Sequence, residues 1–227
     1  MKKIIGVIQA RIGSTRLPYK MMLSLHGKPL IEWVIRRVQK SDLLDELIVA
    51  IPVSEDNDIL ARYIEELGIS VFRGSESNVL NRFYESVKNE SATYIVRICA
   101  DNPLIDGREI DNLINFYYNE PCDYAYNHIP KDNLYPDGLG AEIISFKLLE
   151  TLNNTVESQH HKEHLLSYIH DNNEKFTVKT FSPEDESLRH PELRFDVDTF
   201  DDYYTLCMKD INIDISSRDL VKLYLEK

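Results

Sequence analysis

The 227-residue chain is short of the features that mark several protein classes, and each shortage excludes something. Cysteines are few: Cys99, Cys122 and Cys207, odd in number and widely spaced. Such a set fits reduced thiols and neither a disulfide framework nor a zinc cluster, and Cys99, inside a strand-like run, reads as core packing. No apolar run approaches the roughly 20 residues of a membrane span, so no membrane partner is expected. Positive charge is in deficit, with 26 Lys and Arg against 38 Asp and Glu and a formal net charge of -12. That balance argues against a general nucleic-acid surface. The start, Met-Lys-Lys and a short apolar run, lacks a small-residue cleavage site, so no signal peptide and a cytoplasmic location are expected. Internal repeats, low-complexity segments and convincing linkers are also missing.

What is present describes an ordinary globular chain: 43% hydrophobic and 28% charged residues, with length enough for a sizeable core. One domain, residues 1–227, is expected. Apolar runs at Ile4–Ile8, Leu47–Ile51, Ile69–Phe72 and Ala92–Ala100 read as strands. Between them lie helical patterns: Leu30, Ile31, Val34, Ile35 and Val38 after Pro29; Ile59, Leu60, Tyr63, Ile64 and Leu67 after a cap at Asp56 or Asn57, stopped by Gly68; and Ser75–Val87. Asp106–Tyr118 continues the series as a helix. This alternation implies an α/β fold with a mostly parallel sheet flanked by helices, and ligands bound outside the carboxyl ends of the strands.

Beyond it the pattern loosens. Asp123–Asn127 and Ala141–Phe146 read as short strands, His161–His170 as a helix, and Phe176–Phe181 and Leu193–Val197 as extended, before helices at Phe200–Lys209, capped by Thr199, and Ser217–Leu225. Residues of about 123–191 are expected to fold over the sheet rim as a less regular, substrate-side lobe.

Three stretches carry chemistry. Ile8–Met22 packs Arg11, Arg16 and Lys20 around Gly13, Ser14 and Pro18 directly after a strand. In an acidic protein such a basic turn is either solvated or a local pocket for a small polyanion, with nucleoside triphosphate the natural candidate. No Gly-Lys-Ser/Thr follows, so it is not a Walker A loop. Asp101 and Asp198 each follow a strand-like run; they are either helix caps or a carboxylate pair able to hold Mg2+ beside a triphosphate. Gln159–His164 contains an H-x-x-E-H pattern in His160, Glu163 and His164. Inverted zinc peptidases use that pattern, but no third ligand is evident, and an exposed helix start or a substrate-binding His164 are the other readings.

Ile-Gln-Ala-Arg-x-Gly-Ser-Thr-Arg-Leu-Pro at Ile8–Pro18 resembles the cytidylyltransferase family that includes the SpsF-type spore-coat polysaccharide proteins and, more distantly, the CMP-sialic acid and CMP-Kdo synthetases. The likeness continues through Phe72–Glu76, Arg97–Asp106, Glu163-His164 and Asp196–Thr199, nearly the whole chain. It implies a Rossmann-like sheet of the nucleotide-diphospho-sugar transferase type and transfer of CMP from CTP to a small acceptor, a sugar acid or a phosphorylated molecule, with release of pyrophosphate. By matching position, Ala10, Arg11, Gly13, Ser14, Arg16 and Lys20 would hold the nucleotide, with base contacts near Arg73, Arg82 and Ala100. Asp101 and Asp198 would carry Mg2+. Glu142 and His164 would face the acceptor, and a homodimer would be usual. Two departures stand out: Tyr19 where many relatives have Gly, and Gly140 where many have Asp. A glycosyltransferase using Asp196-Val197-Asp198 as a DxD triplet and a non-catalytic nucleotide-binding subunit are the competing functions.

Overall fold

A computed structural model describes residues 2–226, and the terminal residues Met1 and Lys227 lie outside the described set. β1 (Ile4–Gln9) is buried until its last residue, the signature of a strand covered on both faces. After the basic loop, a two-stranded hairpin of β2 (Ser24–Leu25) and β3 (Lys28–Pro29) leads into α1 (Leu30–Val38), β4 (Glu46–Pro52), α2 (Asp58–Glu66), β5 (Ser70–Gly74), α3 (Val79–Val87) and β6 (Tyr94–Cys99). Then come α4 (Gly107–Asn119), β7 (Tyr124–Tyr126), β8 (Glu142–Ser145), α5 (Phe146–Thr155), α6 (Gln159–Glu163), α7 (Ser167–Asp171), β9 (Val178–Thr180), α8 (Phe200–Cys207) and α9 (Ser217–Leu225).

Seven strands form one sheet in the order β5-β4-β1-β6-β8-β7-β9. β5, β4, β1 and β6 run parallel, and β8 is antiparallel to both its neighbours. Strand alternation splits the core. Ile4, Ile8, Val96, Ile98 and Ile143 pack with α1, α2 and α4, whereas Ile5, Val7, Ile95 and Ile144 pack with α3, α5 and α7. The same parity puts Gln9, Arg97 and Glu142 on the α3 and α5 face. A third cluster, with Trp33, Phe195, Leu206 and Leu220, seats α8 and α9. No helix among the described residues is long and apolar enough to cross a membrane.

Several expectations are corrected. α3 begins at Val79 rather than Ser75, because the Asn78 side chain caps it by accepting the Asn81 N–H. Ile59 is exposed: Leu60 and Ile64 set the buried face of α2, and Ile59 lies a helical step away from it. His161–His170 is not one helix. The chain breaks at His164–Leu166, where Leu166 adopts φ 67 while its side chain stays buried. Leu193–Val197 joins no sheet ladder and has only an isolated bridge, Asp137 to Arg194. Within residues 123–191, the strands β7, β8 and β9 belong to the main sheet. Cys99 sits inside the fold, and burial pushes its thiol up to about 11, which keeps it protonated as a packing residue.

Candidate active site

The basic loop is shaped by side chains more than by its glycine. Ile12 N–H donates to Asn57 Oδ1 at 2.9 Å, and Leu17 N–H to Ser14 Oγ at 3.3 Å. A Cβ added at Gly13 would meet nothing within 4 Å, and that residue does not use a positive φ. The sharp reversal falls on Tyr19, at φ 56 and ψ 22, a left-handed conformation that glycine adopts freely. The reversal turns Lys20 inward, where it is only 5% exposed.

Lys20 is the centre of the site. Its Nζ donates to Val197 O at 2.7 Å and lies 2.9 Å from Asp101 Oδ1 and 3.4 Å from Asp198 Oδ1. Arg16 reaches Asp198 Oδ2 from the other side at 3.1 Å. Asp101 follows β6, as its spacing suggested; Asp198 arrives by another route. Val197 N–H donates to Asp101 O at 2.8 Å, so a backbone bond draws the Phe195–Asp198 segment to the end of β6. The chain thus converges two carboxylates on one buried ammonium.

These residues line a cavity of about 210 Å³ at the strand ends. Its cations are Arg11, Arg16, Lys20 and Arg82, its carboxylates Glu76, Asp101, Glu163 and Asp198, and Gln9, Ser14, Thr15 and His164 complete its polar wall beside Ala10 and Val79. Arg82, from α3, is buried and donates to Ser75 O at 2.5 Å, while its Nε has no partner. Burial, then the charge of Arg11, pulls its guanidinium down to about 10, so it remains a cation near neutrality. A larger groove of about 910 Å³ lies between α1, α4 and α9. Two of its cations are paired, Lys40 with Asp214 and Arg218 with Asp185, each at 2.7 Å, and Asp42, Asp106, Glu109, Glu184 and Asp219 also line it, so it suits a polyanion less.

Two groups have the donors for a metal. Asp101 and Asp198 each turn an oxygen to Lys20 Nζ, at 2.9 and 3.4 Å, and two carboxylates at one rim are of the donor type that suits a hard divalent cation. His160, His161 and Asp171 bring ligand atoms within 4.8 Å of one another. The latter is not the H-x-x-E-H set, because Glu163 and His164 turn into the cavity.

Other expected residues lie elsewhere. Arg73, the penultimate residue of the edge strand β5, pairs with Asp58 at 2.7 Å, with a further bond to Ser54 O, and it does not line the cavity. Ala100 is buried beneath the rim, its N–H on Gln9 O. Glu142 is buried beside the cavity, pairing with Arg97, accepting Tyr124 Oη at 2.6 Å, and lying 3.8 Å from His128. Although burial opposes it, Arg97, with His128 and Tyr124, holds that carboxyl below its usual range. At Gly140 a Cβ would fall 2.1 Å from Asn127 Oδ1. Asn127 is fixed there by the Ala141 N–H and by donating to Glu109 O, so the missing Asp has no room. Gln9, Glu76 and Val79 reach the cavity without having been singled out; the position of Gln9 one residue before Ala10-Arg11, on the same strand end, was the available signal.

A sequence family described as cytidylyltransferase matches residues 5–226. The spore coat polysaccharide biosynthesis protein SpsF of Bacillus subtilis is 32% identical over 212 residues, covering 91% of this chain and 85% of that protein. A cytidylyltransferase structure from Leptospira borgpetersenii superposes with a TM-score of 0.89 at 28% identity, covering 100% of this chain and 95% of the other. A CMP:2-keto-3-deoxy-manno-octonic acid synthetase complexed with CTP shares the fold, with a TM-score of 0.69 at 18% identity over 91% of this chain and 97% of that one.

Proposed function

The chain belongs to the cytidylyltransferase family and is a nucleotidyltransferase, and from that premise we propose that it transfers CMP from CTP to a sugar acid or phosphorylated small molecule in surface polysaccharide or glycan biosynthesis. The observation that carries the reading is Lys20 held between Asp101 and Asp198 in a cavity that also gathers Arg11, Arg16 and Arg82. The naming of SpsF supports the polysaccharide setting, and the CTP-bound relative of the same fold supports the nucleotide.

An acceptor oxygen attacks the α-phosphorus in line; the new O–P bond forms as the bond to the bridging oxygen breaks, and pyrophosphate leaves. Such transfer depends on positioning and charge neutralisation. Arg11, Arg16 and Lys20 neutralise the triphosphate and the departing pyrophosphate, with Ala10, Gly13 and Ser14 forming the loop around it. That Arg82 lines the cavity supports a role for it at the nucleoside, whereas Arg73 is committed to Asp58. Asp101 and Asp198 would hold Mg2+, which supplies charge neutralisation at the α-phosphate when bound. His164 orients the acceptor, and Glu142 acts from behind the cavity wall.

A DxD glycosyltransferase is disfavoured because Asp196, held by Arg194, does not line the cavity that Asp101 and Asp198 share. The test is pyrophosphate release from each nucleoside triphosphate across a panel of sugar acids, sugar phosphates and polyol phosphates, with and without Mg2+. Release is expected with CTP, with Mg2+ and with a subset of acceptors. CTP binding without release under any condition would favour the non-catalytic subunit.

A further inference from the structure

We propose that Gln9 is a specificity residue for the acceptor, its Nε2 donating a hydrogen bond to an acceptor oxygen while Arg97 and Glu142 hold the amide in that orientation. The inference rests on the cytidylyltransferase reading of the cavity.

Gln9 is the last residue of β1, and its side chain lines the cavity. Behind it, Arg97 on β6 directs Nε and Nη2 at Gln9 Oε1, at 3.4 and 3.3 Å. A guanidinium only donates, and of an amide's two ends only the oxygen accepts. Arg97 therefore fixes which way the amide faces: oxygen toward the arginine, NH2 away from it. Among the described residues Nε2 donates to no protein acceptor, yet it is not among the buried atoms left unpartnered. Its donors are open to the cavity.

Arg97 is itself immobilised. Its Nη1 binds Glu142 on β8, and Glu142 accepts Tyr124 Oη from β7 at 2.6 Å. The chain Tyr124–Glu142–Arg97–Gln9 thus crosses four neighbouring strands, β7, β8, β6 and β1. Arg97 and Glu142 cancel each other's charge, so the network delivers a neutral, preoriented donor instead of a cation. Phosphates are served by the loop cations. A neutral donor at the end of β1 suits a hydroxyl or carboxylate oxygen of the acceptor.

Gln9→Met keeps the length of the side chain and removes its donors. For the panel acceptor that the wild type uses best, kcat/KM is expected to fall about tenfold, whereas the CTP Kd, measured by calorimetry without acceptor, shifts by less than about threefold. Arg97→Lys keeps a cation for Glu142 but loses the fork facing Gln9, and should give a smaller loss in the same direction. If Gln9→Met lowers the melting temperature sharply, Gln9→Asn, which stays neutral but draws the amide back by one methylene, provides the same two readouts. An unchanged acceptor kcat/KM overturns the inference alone, as does an equal loss in CTP affinity, which would assign the amide to the nucleotide. A wild type that releases no pyrophosphate with any acceptor overturns the functional reading, and this inference with it.

Discussion

Lys20 and Arg97 are both cations drawn into the fold against carboxylates, and their surroundings differ in one decisive respect. Asp101, beside Lys20, keeps 47% of its side chain exposed, and Asp198 keeps 25%. Glu142, beside Arg97, keeps 3%. The first cluster leaves carboxylate lone pairs facing an open cavity, where a ligand can exchange with them. The second spends its donors and acceptors on its own members and ties strands together. Similar residue types thus build a reactive centre in one place and a brace in another, and what separates them is access rather than charge.

The largest effect should fall on the open cluster. Asp198→Asn is expected to lower kcat for pyrophosphate release about a thousandfold or more at saturating Mg2+, while Tm moves by no more than about 4 °C. Retained turnover would refute the assignment of Asp198 and erase the contrast. The closed cluster should answer in stability. Glu142→Leu strands Arg97 in the interior and should cost about 3–5 kcal/mol in urea denaturation, whereas the pair Arg97→Met with Glu142→Leu should recover most of that loss. A double variant as unstable as the single one would mean that the brace contributes more than mutual neutralisation.

Acid sharpens the same point. The folded state holds the Glu142 carboxyl below its usual value of 4.5. A carboxyl so depressed contributes stability that is complete above its unfolded value and is lost as pH falls through the folded one. Between about pH 5 and about pH 3, the wild-type urea midpoint should therefore drop more steeply than that of Glu142→Gln. Parallel curves would show that the pair carries no proton linkage.

Much of the frame was legible because its physics is local. Continuous apolar runs gave the parallel strands, and Thr199 caps α8 where helical periodicity begins, whereas the Ser216 cap of α9 was not singled out. The basic loop and Asp101 were visible for the same reason: each is a polar break at the end of an apolar run. What depended on register and long-range bonds was hidden. Asp198 reaches the rim through the Val197 N–H on Asp101 O, not through a strand. Arg73 is claimed by Asp58, and Gln9 acquires its orientation from an arginine 88 positions away. The exclusion of a side chain at Gly140 comes from Asn127, which only the pairing of β7 with β8 brings beside it.

Two strained residues, one in the basic loop and one in the lobe, give the smallest and most discriminating effects. Tyr19 in the loop and Leu166 in the lobe both hold non-glycine residues in the left-handed region, at φ 56 and φ 67. Tyr19 is 58% exposed and Leu166 3%. Glycine relieves the same backbone cost, about 1 kcal/mol, at either position, but it also loosens the unfolded chain. At Leu166 it further removes a buried side chain, so Leu166→Gly should lose about 2 kcal/mol net. At Tyr19 there is little burial to lose, and Tyr19→Gly should be neutral or stabilising by less than about 1 kcal/mol in thermal unfolding. If Tyr19→Gly instead destabilises as much as Leu166→Gly, the exposed ring has a contact that its surroundings in the single chain do not provide.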